Sequence, residues 1–489
     1  VSDTGLKNNL LLTCLYKQVE LEQLQLQIDE ALSQSKLGSI EYFSLSFSIP
    51  KVDTLAVLEQ NKGKDHFEYY WEKPSENFAI SAAGEVARIK ATGPQRFRTA
   101  SSQGKSLIQK IFHFSSLEHS NAAPHLFGGF SFHEHNVSKH WRTFGAASFT
   151  LPQWSIIVDG ELTLLTITLE LVGLNNRDEV LRKLKEHLAE LDDVCDAHSY
   201  SKKVEGDTEF KFEVPTQVSE EFKAWKNAVE KATLQIEKGV YDKIVLAREL
   251  RIPLSSPIVD THILNRLRHQ YPDCYSFLIK QNNEASFIGC TPERLASFRS
   301  DFILTEGLAG STPRGKTASE DARLESELLN SDKDLNEHQI VLQAIQDNLS
   351  QYAETLMIPD KPGIKKLSNV QHLYTPVRAQ ISEGVSKTEV LKNLHPTPAV
   401  GGFPRDKAVP FISKFEHFDR GWYAAPIGWI NAHGNGEFAV GIRSGLIKND
   451  EVRFYAGCGI VEGSQPEKEW EETNLKFIPM LSALAYATK

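Results

Sequence analysis

Short runs in which apolar and polar residues alternate fill residues 41–215 and return at 424–457, and no helix follows each run in regular rhythm. Tyr42-Phe43-Ser44-Leu45-Ser46-Phe47 is one such run; Gly128-Gly129-Phe130-Ser131-Phe132 is another. Successive side chains of a strand point to opposite faces, so alternation marks a strand with one face buried. A parallel sheet needs a long crossover, usually a helix, between neighbouring strands. Helices here are interposed irregularly, which restricts the chain to an α+β fold with a mainly antiparallel sheet.

The elements follow from local chemistry. Residues 155–158 and 162–167 read as strands of a hairpin closed by Asp159-Gly160, and 276–279 and 285–288 as a second hairpin turning at Asn282-Asn283. Leu10, Leu11, Leu15, Val19, Leu21, Leu24 and Ile28 recur at helical spacing, so residues 1 to about 40 read as helical. Helices are expected at 176–191, at 222–238 with Gly239 as the stop, at 318–329 and at 335–356; Tyr241 to Leu254 reads as a strand. The polar stretch 197–216 is the best candidate boundary. Pro466 suits the first turn of a C-terminal helix behind a glycine-rich turn at Gly457–Gly459, and Pro479 is expected to kink or end it.

Composition narrows the function. The 489 residues carry a net charge of −10, which argues against a nucleic-acid or anionic-membrane binder. No run of about 18 apolar residues occurs, so no membrane span is expected. Five scattered cysteines without a CxxC pair fit reduced thiols and no zinc knuckle, and no targeting peptide is visible, which gives a cytoplasmic expectation.

Several residues invite chemistry. Lys243 lies in an apolar strand, where it either snorkels to solvent or sits in a pocket as a general base. Glu293, presented by Pro292, is either a turn residue paired with Arg294 or a carboxyl whose raised pKa suits an acid. Asp334 and Glu337 form an i, i+3 pair at a helix start. Asp334 is explained by the helix dipole; Glu337 less so. Glu469, Glu472 and Lys476 fall on one helical stripe, either a wet face with an i, i+4 ion pair or part of a site holding a divalent metal and an anion. Arg443 is a strand arginine able to grip a carboxylate. Gly310-Ser311-Thr312-Pro313-Arg314-Gly315-Lys316-Thr317 satisfies the P-loop pattern. Pro313 removes an N–H from a loop that needs them, no downstream strand ending in Asp follows, and the strands lack parallel character, so a nucleotide site is not expected. His133-Glu134-His135 suggests no third metal ligand.

In order along the chain stand YDKIVLAR at 241–248, GCTPERL at 289–295, LAGSTPRG at 308–315, DKDLNEH at 332–338, HPTPAVGGFP at 395–404, GIRSG at 441–445, GCGIV at 457–461 and EWEETNLK at 469–476. Together these resemble the chorismate-utilising enzymes, which include isochorismate, salicylate, anthranilate and aminodeoxychorismate synthases. Lys243 makes the isochorismate synthases the most similar, and HPTPA with Ala399 is similar to the isochorismate and salicylate branch. The salicylate branch is the alternative, the ammonia-using branches a weaker one. The resemblance covers roughly residues 220–485. It implies a large antiparallel β-sandwich surrounded by helices, with 1–215 as a divergent part of the same unit as the catalytic region 216–489. It implies Mg²⁺-dependent conversion of chorismate and water to isochorismate by a monomer, with Lys243 as base and Glu293 as acid. Glu337 and Glu472 would bind the metal directly, Asp334 and Glu469 through water. Arg443, Lys476 and the backbone at Gly457 and Gly459 would receive a substrate carboxylate. Gly310 and Ser311 would lie near the substrate, and His395 and Ala399 in the pocket wall. Menaquinone or phylloquinone synthesis is the expected pathway, with siderophore or salicylate supply as the other outlets.

Overall fold

A computed structural model describes residues 9–61, 67–134, 137–196, 219–254, 258–367, 370–382, 384–448 and 450–487. Two large sheets form the frame. The first has twelve strands in the order Gly402–Phe403, Lys243–Pro253, Glu451–Ile460, Ser444–Lys448, Ala285–Thr291, Tyr275–Gln281, Phe67–Lys73, Phe78–Ala83, Trp154–Asp159, Leu162–Glu170, Tyr42–Ser48 and Ile111–Ser115. The second has ten, including Phe302–Pro313, Arg294–Arg299, Gly436–Val440, Pro426–Asn431 and His125–Phe130 side by side. Among the described residues every pairing is antiparallel except Tyr42–Ser48 with Ile111–Ser115.

Alternation assigns the layers. Tyr69 and Trp71 point into a core shared with Phe127 and Trp429 of the second sheet, whereas Tyr70, between them, joins a different core. Ile157 and Leu164 likewise face the second sheet, and Ile156 and Leu165 face away from it. The outward core is roofed by the helices Leu10–Gln18, Leu21–Lys36, Arg177–Cys195, Asp260–Gln270 and Pro466–Ala487. The first sheet is thus buried on both faces, by a sheet on one side and by helices on the other, as its long apolar strands require.

Local signals act as expected at several places. Asn282 and Asn283 both adopt left-handed φ, 56° and 54°, which a two-residue hairpin turn needs and asparagine tolerates. Ser219 caps the helix Glu220–Glu237 through Phe222 N–H, and Gly239 beyond it has φ +68°. The N-terminal helical region is broken into two helices. The helix expected to reach residue 356 instead ends at Ser350, and Ala353–Met357 is a strand paired with Val370–Ile381. The C-terminal helix runs through Pro479 to Ala487 rather than ending there. Phe477, Met480, Leu481 and Leu484 on either side are buried in the outer core, so packing outweighs the one backbone hydrogen bond that proline removes. Residues 457–459 belong to the strand Glu451–Ile460, not to a turn. The candidate boundary 197–216 lies outside the described residues, but strands from either side of it pair in both sheets: Phe67–Lys73 with Tyr275–Gln281 and His125–Phe130 with Pro426–Asn431.

Candidate active site

Two stretches of chain leave one sheet for the other side by side, and each carries a charged residue at its corner. The chain passes from Ala285–Thr291 in the first sheet to Arg294–Arg299 in the second across Pro292-Glu293. It returns from Gly436–Val440 to Ser444–Lys448 across Gly441-Ile442-Arg443. The two corners are stitched together: Thr291 Oγ1 donates to Val440 O at 2.7 Å, Val440 N to Glu293 O at 3.0 Å and Cys290 N to Arg443 O at 3.0 Å. Arg443 has φ +49°, an uncommon conformation for a side-chain-bearing residue and one that marks functional positions.

Electrostatics distinguish the two. Glu293 stays partly accessible, yet burial of its carboxyl pushes the pKa up to about 7. Thr397 Oγ1 donates to its Oε1 at 3.3 Å and opposes the shift; the neighbouring Glu306 adds to it. Near neutral pH this carboxyl is poised between donor and acceptor, as an acid catalyst requires. The expected alternative, a pair with Arg294, does not form: Arg294 binds Glu437 at 2.8 Å and Glu76 at 2.9 Å. Burial lowers the pKa of Arg443; the titratable groups that act on it are the thiols of Cys274 and Cys290 and the phenols of Tyr423 and Tyr271, and among the described residues no carboxylate forms an ion pair with it. A guanidinium so placed has its fork free for an anionic group.

Lys243 opens the strand Lys243–Pro253, and its side chain is 12% exposed, in a pocket rather than snorkelling outward. Its Nζ lies 2.7 Å from Glu337 Oε1 and close enough to Glu293 to act on its charge. The lysine stem passes directly over Gly459, where a Cβ would stand 2.7 Å from Lys243 Cε. From the C-terminal helix Lys476 Nζ donates to Gly457 O at 2.8 Å and Glu472 Oε1 at 2.7 Å, and its charge also reaches Glu337. Glu469, half-buried beside Glu472, has a pKa raised by burial. Beyond Tyr455 the strand Glu451–Ile460 loses its Ser444–Lys448 neighbour, so residues 456–460 are paired on one edge only.

The other expected residues sit as follows. Gly310, φ +75°, is the bulge in Phe302–Pro313, and a Cβ there would come within 3.1 Å of Asp334 Cβ. Asp334 itself turns back to Ser331, whose hydroxyl caps the helix Asp332–Ser350. Ser311 is solvent-exposed. His395 is buried, its Nε2 against Phe132 O at 3.2 Å, and Ala399 occupies the half-buried turn that follows Thr397. Sequence reasoning missed Thr397, although it lies inside HPTPA, and it missed His372. That imidazole is held neutral, its pKa down to about 4, by burial and by the charges of Arg443, Lys365 and Lys476. Only the fold brings it to them. In the P-loop-like segment, Gly315 N–H and Lys316 N–H donate to Asp321 and Glu320, which removes them as phosphate donors. His135 of the His-Glu-His motif lies outside the described residues.

Among the described residues no three carboxylate, histidine or cysteine groups converge on one point; Lys243 holds Glu337 and Lys476 holds Glu472 instead. The donor chemistry nonetheless fits a hard cation. Glu337 and Glu472 come from different helices to the surroundings of one ammonium, Lys476, and offer the carboxylate oxygens that Mg²⁺ prefers.

The family model described as "Chorismate binding enzyme" matches residues 26–485. An isochorismate synthase MenF of Bacillus subtilis is 37% identical over 85% of this chain and 87% of its own. A salicylate biosynthesis isochorismate synthase of Pseudomonas aeruginosa is 34% identical over 95% of both. The solved menaquinone-specific isochorismate synthase MenF of Escherichia coli superposes with a TM-score of 0.74 at 25% identity, over 94% of this chain and all of that one.

Proposed function

The chain belongs to the chorismate-binding enzyme family, and we propose that it is a Mg²⁺-dependent isochorismate synthase, with Lys243 and Glu293 exchanging protons across the substrate ring. The observation that carries this reading is the Glu293 carboxyl, raised to about 7 by burial and standing within electrostatic reach of the Lys243 amine. Water adds at C2 of chorismate, the ring double bonds shift, and the C4 hydroxyl departs as water. Lys243 takes the proton of the attacking water, and Glu293 supplies the proton that the departing hydroxyl needs. Each group ends in the opposite protonation state, and transfer of one proton from Lys243 to Glu293 through solvent resets the pair.

Glu337 and Glu472 would hold the metal, with Glu469 and Asp334 reached through water. Mg²⁺ bound there supplies positive charge that fixes and neutralises the ring carboxylate. Glu337 is also the present partner of Lys243. A carboxylate that would hold the cation is therefore also the group that holds the amine, and Lys243 would act as a base only once free of that pair. Arg443, Lys476 and the open edge at Gly457–Gly459 receive the side-chain carboxylate, and Gly310, Ser311, His395 and Ala399 stand around the ring. Similarity to the menaquinone-specific isochorismate synthase of Escherichia coli supports quinone synthesis as the pathway.

Incubation with chorismate and Mg²⁺, followed by chromatographic separation, tests the reaction. Isochorismate alone is expected. Salicylate with pyruvate moves the assignment to the salicylate branch, and product that appears only on addition of ammonia overturns the reading. Lys243→Ala is expected to abolish turnover and keep the fold; retained turnover removes Lys243 as the base.

A further inference from the structure

On the outer face of the second sheet, away from the residues above, a cavity of about 350 Å³ opens between the helices Arg96–Gln109 and Lys387–Leu394. Small-molecule sites occupy about 300–1,000 Å³. Its walls are apolar: Ile89, Leu126, Phe149, Ile430 and Phe438 come from the sheet, and Gly104 leaves a gap in the helix beside them. A Cβ at Gly104 would stand 3.5 Å from Leu126 and 3.7 Å from Ile89, so even a methyl group there meets them at van der Waals distance.

The polar groups are gathered at one end. Ser101, Ser386 and Thr388 form a chain of hydroxyls with contacts of 3.1 and 3.0 Å. Lys387 projects between them and Gly434, to whose carbonyl its Nζ donates. An ammonium has three donors, and this bond uses one. Among the described residues no aspartate or glutamate lines the cavity, while Lys387 and Lys105 both do; the carboxylate that acts on the Lys387 charge, Asp301, is not part of the lining. Ser386 stands at the N-cap of the second helix without capping it, so the positive end of that helix faces the same place.

We propose that this cavity binds a small organic anion with a flat apolar body, its acid group on Lys387 and the start of Lys387–Leu394, and that occupancy tunes catalysis. The lever is short: the helix runs from Lys387 directly into His395 and then Thr397, whose hydroxyl holds the Glu293 carboxyl. The regulatory half rests on the proposed role of Glu293; the binding half does not.

2-Naphthoate and its neutral amide serve as probes, titrated calorimetrically against the full chain, against Lys387→Met and against Gly104→Leu, with thermal unfolding to confirm folding. The wild type is expected to bind one naphthoate at least tenfold more tightly than the amide. Lys387→Met should erase that preference, Gly104→Leu should weaken both probes, and chorismate with Mg²⁺ should not compete. Saturating naphthoate should change wild-type kcat/KM at least threefold and leave Lys387→Met unaffected. Absence of saturable binding, equal binding by Lys387→Met, or competition by chorismate overturns the site. Binding without any change in turnover overturns the regulatory role alone. If chorismate is not turned over at all, the functional reading fails and calorimetry still decides the site.

Discussion

Glu293 makes the sharpest statement at the scale of single residues. In the proposed role of acid its carboxyl must be protonated, and burial pushes its pKa up to about 7, so kcat/KM is expected to fall as pH rises through about 7. Thr397→Val removes a hydrogen bond that favours the ionised form; the limb should then move to higher pH, and a limb that stays or moves down contradicts the geometry. The same burial has a cost in stability. A carboxyl raised on folding opposes the folded state once pH exceeds its unfolded value, and the penalty grows until the folded pKa is passed. Glu293→Gln should therefore be inactive yet more stable than the wild type at pH 8, by up to about 3 kcal/mol, with the difference vanishing below pH 4.5. Chemical denaturation at the two pH values measures it. Lys243, Glu293 and Arg443 are singled out in the sequence because each sits in one of the ordered motifs that resemble the family's, and the fold places the Glu293 and Arg443 corners side by side. His372 is not singled out, because its meaning comes only from Arg443, Lys365 and Lys476, which local pattern cannot bring together.

Among the elements, the strand Glu451–Ile460 explains Gly459. Gly459 is required not for a turn but for the passage of the Lys243 stem above it. Gly459→Ala should leave stability within about 1 kcal/mol, because the obstructed atom ends a flexible side chain, but lower kcat by roughly 10- to 100-fold through displacement of the amine; unchanged kcat would show that Lys243 needs no such precision. Reading the segment as a turn was a reasonable error, since glycine pairs mark turns more often than close approaches. Pro479 and the strand Ala353–Met357 show the same limit. Burial of Phe477, Met480 and Leu481 keeps a helix going through a proline. Pairing with Val370–Ile381 makes a strand where the local pattern suggested helix. Where turn chemistry alone decides, as at Asn282-Asn283, the expected geometry forms.

The whole molecule joins its two halves in the same sheets, and the alternating runs make the antiparallel α+β class legible in the sequence. Separated from the rest, residues 219–489 would expose the edge of Tyr275–Gln281 together with Phe277 and Ile279, which are fully buried here. That fragment is expected to aggregate or to lack a cooperative thermal transition; a soluble, cooperatively folding and active fragment would show that the N-terminal strands are dispensable. The long-range order of strands is not readable in the sequence, because partners such as Phe67–Lys73 and Tyr275–Gln281 lie some 200 residues apart. In the proposed reaction the corners at Glu293 and Arg443, with Lys243, exchange a water molecule across chorismate. Turnover in ¹⁸O-labelled water with Mg²⁺, followed by mass spectrometry of the product, measures that exchange. Isochorismate carrying one labelled oxygen, at C2, is expected, with no pyruvate released and no ammonia required; unlabelled isochorismate, or a product formed only with ammonia, would rule the reaction out.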